Sequence, residues 1–203
     1  MSAREIKSLA RSLLDLCKMR KLTIATAESC TGGLVCAALV DIPGSSAVVA
    51  SGFITYSNEA KHDILGVTNQ ILATFGAVSK EAALGMAAGA LKKSKADLTV
   101  SVTGIAGPGG ATPGKPVGLV HLAAASRDGR IISREKRFGA IGRTAVRNRS
   151  VIEALKMLTE LARGPAKPAK PVKRQAPAAD RSRPRAVRKL RQSAGTRRRT
   201  SRP

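Results

Sequence analysis

Residues 23–33 read TIATAESCTGG, and this stretch describes a β-strand that turns sharply into a helix. Thr23 to Ala27 have strand propensity, Glu28 to Thr31 form the turn, and two glycines lead into the apolar helical pattern LVCAALV. Strands that run directly into helices are typical of domains in which a sheet is covered by helices. The stretch therefore restricts the chain to the α/β class unless the rest of the sequence breaks the alternation.

The rest of the chain keeps this alternation up to about residue 161. The periodicity predicts helices at 3–20, 32–41, 58–65, 79–93 and 143–161, and strands at 23–27, 48–56, 98–103, 117–125 and 130–138. Asn58 and Ser79 are predicted N-caps, Gly66 a helix stop, and Asp128-Gly129 a hairpin turn. The patterns together predict a mixed sheet with helices on both faces.

The composition narrows the classes of function. The chain is 43% hydrophobic but only 2% aromatic, so its core must be aliphatic and platforms for stacking bases are not expected. With only His62 and His121 available, a histidine-based metal site is not expected either. No apolar run approaches the roughly 18 residues of a membrane span. Three cysteines without CxxC spacing, and no signal-peptide pattern, indicate a reducing cytoplasm.

Basic charge is concentrated near the C-terminus. Residues 163–203 hold 15 of the 36 lysines and arginines and a single acid, Asp180. From Gly164 onward apolar periodicity stops, so the segment cannot bury enough surface to offset the entropy of ordering it. We expect a globular domain at 1–163 and a disordered basic tail at 164–203. The tail is either a non-specific contact for nucleic-acid phosphates or a solvated extension without a partner.

The turn after the first strand is the first candidate for chemistry. Main-chain N–H groups at the start of a helix lack partners and carry partial positive charge. A nucleophile in such a turn has donors for an oxyanion beside it. Ser29 is the preferred nucleophile, and Cys30 is its rival. Alternatively, Ser29 is an N-cap that is followed by close-packing glycines.

Three other segments are expected to meet this turn, because ligands in open α/β sheets gather at the carboxyl ends of strands. They are Thr55 to Lys61, Thr103 to Gly110 and Arg143 to Arg147. Lys61 is the candidate base for Ser29 if burial or positive charge lowers the pKa of its amine. The alternative is an ordinary surface lysine.

The other two segments also allow two interpretations each. The glycines of 104–110 either bring main-chain N–H groups close to an anion or amide, or they belong to a flexible surface loop. This loop has neither P-loop nor GxGxxG spacing, so hydrolysis of a nucleoside triphosphate has little support. Arg143 and Arg147 lie one helical turn apart and either clamp a phosphate or carboxylate, or form an exposed basic stripe.

The order and spacing of these segments resemble the CinA C-terminal domain family, the nicotinamide mononucleotide deamidases. The matching blocks are AESCTGG (27–33), IPGSS (42–46), GFITYSNEAKHDILGV (52–67), FGAVSKEAA (75–83), VTGIAGPGG (102–110), KPVGLVHLA (115–123) and RTAVR (143–147). The resemblance spans roughly residues 3–162. It departs from the family before Arg143, where Gly-Asp-Arg is common and this chain has Ile141-Gly142-Arg143.

The resemblance implies a three-layer α/β/α sandwich with a mixed, mostly parallel sheet. It also implies hydrolysis of the carboxamide of nicotinamide mononucleotide to nicotinate mononucleotide and ammonia, without a metal or organic cofactor and in a homo-oligomer. Ser29 is the implied nucleophile and Lys61 the implied base, with Tyr56 and Thr103 lining the site. The implied substrate contacts are Cys30, Thr31, Gly32, Gly33, Ser46, Gly104, Ala106, Gly107 and Arg143.

Two functions of different classes are compatible with these residues. The first is an amidohydrolase that acts on a small nucleotide. The second is a non-catalytic module that binds a nucleotide and is tethered to nucleic acid by the basic tail. A neutral lysine beside a hydroxyl favours the first, because a binding module has no need for it. An active enzyme that the tail localises would combine the two.

Overall fold

The computed structural model describes residues 3–164, so the basic tail predicted from Gly164 lies outside the described residues except for its first residue. The helices of this range are α1 (Ala3–Arg20), α2 (Leu34–Val40), α3 (Asn58–Leu65), α4 (Asn69–Thr74), α5 (Lys80–Ser94) and α6 (Arg143–Arg163), with a 3-10 turn at Ser45–Ala47. The strands are β1 (Ile24–Glu28), β2 (Val49–Ile54), β3 (Leu98–Gly104), β4 (Leu119–Ser126) and β5 (Ile131–Arg137). The predicted alternation of strands and helices is confirmed.

The sheet has the order β2-β1-β3-β4-β5. β1 pairs in parallel with β2 and β3, whereas β4 runs antiparallel to both of its neighbours. Four of the five strands therefore point the same way, and the predicted mixed, mostly parallel sheet is confirmed. Asp128 and Gly129 form the turn between β4 and β5, and Gly129 takes the left-handed φ of 95° that such a turn favours.

Helices cover both faces of the sheet, as the three-layer prediction requires. α1, α2 and α6 pack together over one face, and α3, α4 and α5 cover the other. The core between these layers is built from leucine, valine, isoleucine and alanine, with methionines and small polar residues, as the scarcity of aromatic residues predicts. None of the helices in residues 3–164 combines the length and hydropathy needed to cross a bilayer.

Local signals placed most helix ends correctly. Ser79 caps α5 by accepting the N–H of Ala82, and Gly66 ends α3 with a left-handed φ of 71°. Asn58, however, is the first residue of α3 and not its cap. Ser57 takes that role, because its extended backbone lets its hydroxyl accept the N–H of Ala60 at 3.1 Å. The six-residue helix α4 was not predicted, since it is too short to show a period.

Register and close packing bring the chemistry-bearing segments to one edge of the sheet. Glu28 at the end of β1 lies beside Ile54 of β2 and Val102 of β3, so the residues that follow these strands emerge together. α3 then lies against α5 at Gly89, where an added Cβ would be 1.9 Å from the main-chain oxygen of Leu65. The absence of a side chain at Gly89 thus sets the position of α3 and of the residues it carries.

Candidate active site

A pocket of about 250 Å³ opens at the carboxyl ends of β1, β2 and β3. Nine of the predicted site residues line it: Ser29, Cys30, Tyr56, Lys61, Thr103, Gly104, Ala106, Gly107 and Arg143. A larger groove of about 620 Å³ between α1, α2 and α6 is lined mainly by aliphatic side chains, and no serine, threonine or cysteine is among its lining residues. Within residues 3–164, no three His, Cys, Asp or Glu side chains are grouped so that they could hold a metal ion.

The amine of Lys61 lies beside the hydroxyl of Ser29. Lys61 comes from the first turn of α3, Ser29 follows β1, and their Nζ and Oγ atoms are 3.1 Å apart. The lysine also donates to the main-chain oxygens of Thr55 at 2.9 Å, Tyr56 at 3.1 Å and Ser57 at 3.3 Å. A neutral amine has two N–H groups, which these three carbonyls can share, and one lone pair that can accept the proton of the serine hydroxyl.

Burial lowers the pKa of this amine. Lys61 is only 1% exposed, and none of the ion pairs among the described residues includes it. Loss of water around the amine lowers the pKa of Lys61 from its ordinary value, and the weaker attractions of Cys30 and the exposed Glu59 only partly oppose this. The direction of this shift is the one that a lysine base requires.

The thiol of Cys30 is in the opposite situation. It is buried, and burial raises its pKa to about 12. Cysteine attacks as a thiolate, so a thiol that stays protonated is a poor nucleophile. The geometry thus favours Ser29 over Cys30.

The hydrogen bonds of the turn leave two main-chain N–H groups without an oxygen acceptor among the described residues. The N–H of Ser29 donates to a carbonyl of β3, that of Gly32 donates to the carbonyl of Ser29, and that of Gly33 donates to the carboxylate at the end of β1. The N–H groups of Cys30 and Thr31 donate to no main-chain or side-chain oxygen of the described residues. Of these two residues only Cys30 lines the pocket, whereas Thr31 is fully buried, so the N–H of Cys30 is the candidate donor to an oxyanion at this turn.

The rim of the pocket carries an arginine. Arg143, the first residue of α6, donates to the carbonyl of Gly107 at 3.1 Å and to the hydroxyl of Tyr56 at 3.2 Å. It takes part in no ion pair among residues 3–164, so its charge is available to an anion. Arg147 does not join it in a clamp, because its guanidinium donates instead to the carbonyl of Thr31 at 2.7 Å.

Several predicted residues have other surroundings. Thr103 lines the pocket, but its hydroxyl donates to the carbonyl of Ala77 at 2.7 Å and so holds the loop before α5. Thr31, Gly32 and Gly33 are not among the pocket-lining residues. Ser46 is not brought to the pocket: it is exposed in the 3-10 turn before β2, whereas the pocket lies beyond the other end of that strand. The residue types at 42–46 gave no indication of which end of the sheet they occupy.

One charged residue at the site was given no role by the sequence reasoning. Glu28 is 1% exposed and its carboxylate accepts hydrogen bonds from the turn and from α2. The available signal was an acid at the end of an otherwise apolar strand, directly before the candidate nucleophile. A buried charge in that position requires partners, and the partners nearest in sequence are the N–H groups of the turn.

The model of the CinA C-terminal domain family matches residues 6–162. The chain belongs to this family. The nicotinamide-nucleotide amidohydrolase PncC of Escherichia coli K12 is 46% identical over 158 residues, which cover 78% of this chain and 95% of that protein. A CinA-like protein of Mycolicibacterium gilvum is 52% identical over 136 residues, which cover 67% of this chain and 32% of that protein. The chain thus spans about a third of the length of several CinA-like relatives.

Solved structures of CinA proteins share the fold. The competence/damage inducible protein of Agrobacterium tumefaciens has a TM-score of 0.77 and 54% identity, and the match covers 77% of this chain and 95% of that one. A CinA superfamily protein of Escherichia coli has a TM-score of 0.74 at 33% identity, with 79% of this chain and 93% of that chain covered. The family resemblance and the α/β fold inferred from the sequence are both confirmed.

Proposed function

We propose that this CinA domain hydrolyses the carboxamide of nicotinamide mononucleotide to nicotinate mononucleotide and ammonia. The observation that carries the proposal is the buried amine of Lys61, which forms no ion pair among residues 3–164 and lies 3.1 Å from the hydroxyl of Ser29 at the wall of a pocket. The choice of substrate is supported by the similarity to PncC, which extends over 95% of that amidohydrolase.

The first half of the reaction forms an acyl-enzyme. Ser29 Oγ attacks the carboxamide carbon while Lys61 Nζ takes the hydroxyl proton. The oxygen of the tetrahedral intermediate accepts a hydrogen bond from the N–H of Cys30, and such a donor is worth about 10²–10³ in rate at comparable sites. The C–N bond then breaks, and protonated Lys61 returns the proton to the leaving nitrogen, which departs as ammonia.

The second half releases the acid. A water molecule attacks the ester carbon, and neutral Lys61 takes one of its protons. The ester bond breaks, the serine oxygen regains a proton from Lys61, and nicotinate mononucleotide leaves. The lysine is neutral at the start of each half-reaction and protonated in the middle, so a pKa lowered by burial serves both steps.

The anionic end of the substrate requires a cation away from the reacting carbon. Arg143 at the rim makes no ion pair among residues 3–164, whereas the amine of Lys61 is directed at the serine. We therefore assign the phosphate to Arg143 and the neighbouring 104–110 loop, and the carboxamide to the turn at Ser29.

Ammonia release from a panel of nicotinamide mononucleotide, the pyridine dinucleotide and free nicotinamide tests the proposal. We expect the mononucleotide to be the best substrate and Ser29→Ala and Lys61→Ala to lose at least about a thousandfold in kcat. Cys30→Ala is the matched control and should stay within about threefold of the wild type. Full activity of Ser29→Ala with loss in Cys30→Ala would refute the nucleophile assignment. Tight mononucleotide binding without turnover would instead indicate a binding module.

A further inference from the structure

Glu28 is the only charged residue of β1, and all four of its hydrogen bonds are internal to the fold. Its Oε1 accepts from the Thr26 hydroxyl at 3.2 Å and from the Cys36 N–H at 2.8 Å. Its Oε2 accepts from the N–H groups of Gly33 and Val35, both at 3.0 Å. Each oxygen therefore has two donors, which is the usual full complement of a carboxylate oxygen.

This arrangement fixes the start of α2 to the end of β1. Three of the four donors belong to residues 33–36, where a helix start would otherwise leave N–H groups unpaired. The intervening turn carries Ser29 and is thus held at both ends by the side chain of the residue that precedes the nucleophile. Arg147 holds the same turn from α6 by donating to the carbonyl of Thr31 at 2.7 Å.

The same bonds determine which donors remain for a substrate. Because Glu28 takes the N–H groups at the start of α2, the N–H of Cys30 is the one main-chain donor of this turn that belongs to a pocket-lining residue and has no oxygen acceptor among residues 3–164. The four hydrogen bonds of Glu28 also use both oxygens of its carboxylate, and among residues 3–164 no ion pair joins Glu28 to Lys61. A free carboxylate this close to the nucleophile would favour the protonated amine and weaken it as a base.

We propose that Glu28 is a positioning residue: it holds the nucleophile turn so that Ser29 meets Lys61 and the N–H of Cys30 stays available to the substrate. The inference rests on the proposed function for its kinetic test, but its geometric part concerns the reactivity of Ser29 alone. Glu28 touches no reacting atom and acts through the main chain of residues 29–36.

The test compares Glu28→Gln with Asp97→Asn in the full chain. Glutamine has the same shape, but its NH₂ group replaces one oxygen, so two donors lose their acceptor whichever way the amide is oriented. Asp97 is a matched control, because it is also buried and accepts the N–H and hydroxyl of Thr23, yet it lies before β3 at the opposite end of the sheet. Both variants remove one buried carboxylate.

With nicotinamide mononucleotide, Glu28→Gln should lower kcat by about tenfold or more and change KM by less than about threefold, because the phosphate contacts are untouched. Asp97→Asn should lower the unfolding temperature without lowering kcat. Equal losses of kcat in the two variants, at equal losses of stability, would show that Glu28 is merely structural and overturn the inference.

Labelling of Ser29 by a fluorophosphonate, followed by mass spectrometry, separates this inference from the proposed function. We expect Glu28→Gln to react about tenfold more slowly than the wild type and Asp97→Asn to react at the wild-type rate, whether or not the mononucleotide is hydrolysed. If Glu28→Gln does not fold, Thr26→Val removes one donor with little change of shape and should slow labelling severalfold. A wild-type labelling rate in the folded variant would overturn the inference.

Discussion

Lys61 is buried and forms no ion pair with a carboxylate in the part of the chain that the structure describes, and this combination determines how the site responds to pH. A lysine amine that is shielded from water is easier to deprotonate, so the pKa of Lys61 lies below its ordinary value of 10.5. The carbonyl oxygens of Thr55, Tyr56 and Ser57 accept its hydrogen bonds and add no net negative charge. At this scale the site depends on a single desolvated side chain.

Activity should therefore fall on the acidic side. Protonation of Lys61 removes the lone pair that accepts the serine proton, so we expect kcat to decrease as pH falls through the lowered pKa and to reach a plateau above it. A pH–rate profile with nicotinamide mononucleotide provides the measurement. A rate that increases towards acid pH would contradict the role of Lys61 as a base.

The same lowered pKa makes a separate prediction about stability. Between the folded-state pKa of Lys61 and 10.5, the unfolded chain binds more protons than the folded chain, so this residue makes the free energy of unfolding rise with pH. Urea denaturation of the wild type and Lys61→Met across this window should show the rise as a difference between the two proteins. The comparison with Lys61→Met is needed because the buried thiols of Cys17 and Cys30 have pKa values raised to about 12. These two thiols make the free energy of unfolding fall as pH rises above 9. A difference independent of pH would contradict the prediction.

At the scale of elements, the site depends on how closely α3 approaches α5. Gly89 of α5 touches the main chain of Leu65, one helical turn beyond Lys61 on α3. A Cβ at 1.9 Å from a main-chain oxygen cannot be relieved by a side-chain rotation, so the helices would have to separate. We therefore expect the distance between Lys61 and Ser29 to depend on a residue that lies outside the pocket.

Gly89→Ala should therefore be harmful in two ways. We expect the free energy of unfolding to drop by about 1–3 kcal/mol from overpacking, and kcat to fall because the lysine moves away from the serine. Gly85→Ala on the same helix is the matched control, since its Cβ would lie 3.4 Å from the side chain of Val67 and the helix would gain up to about 1 kcal/mol. Equal kcat in the two variants, measured by ammonia release, would argue against this coupling.

At the scale of the whole molecule, the charge is divided between the domain and the tail. Residues 163–203 hold 15 of the 36 basic residues, and the pocket is formed entirely by residues between 29 and 143. We therefore retain, as a proposal, the division into a domain at 1–163 and a basic tail at 164–203 that contacts nucleic acid through phosphates.

A chain that ends at Gly164 should keep the turnover of the full-length protein and lose most of its affinity for nucleic acid. Fluorescence anisotropy with duplexes of unrelated sequence should show weak discrimination and an affinity of the full chain that falls steeply with salt, because phosphate contacts release counterions. Unchanged nucleic-acid affinity of the shortened chain would place the contact on the domain. Reduced turnover would mean that the tail reaches the site.

Local features of the sequence were sufficient for the architecture. The periods of 2 and 3.6 residues separated strands from helices, Ser79 and Gly66 marked helix ends, and Asp128-Gly129 marked the hairpin. Each of these signals acts within a few residues, so no knowledge of the fold is needed to interpret it. They failed where the local signal was short or ambiguous, at α4 and at the choice between Ser57 and Asn58 as the cap.

The sequence by itself determined the α/β alternation and the candidate residues Ser29 and Lys61. Only the tertiary structure decided that these two side chains are in contact and that the lysine is buried. It also decided that Arg147 binds the carbonyl of Thr31 in the turn, that Arg143 lies at the rim of the pocket, and that Ser46 lies outside the pocket. The reason is that desolvation, strand register and helix docking join residues that are far apart in the chain. Patterns within a few residues carry no record of them.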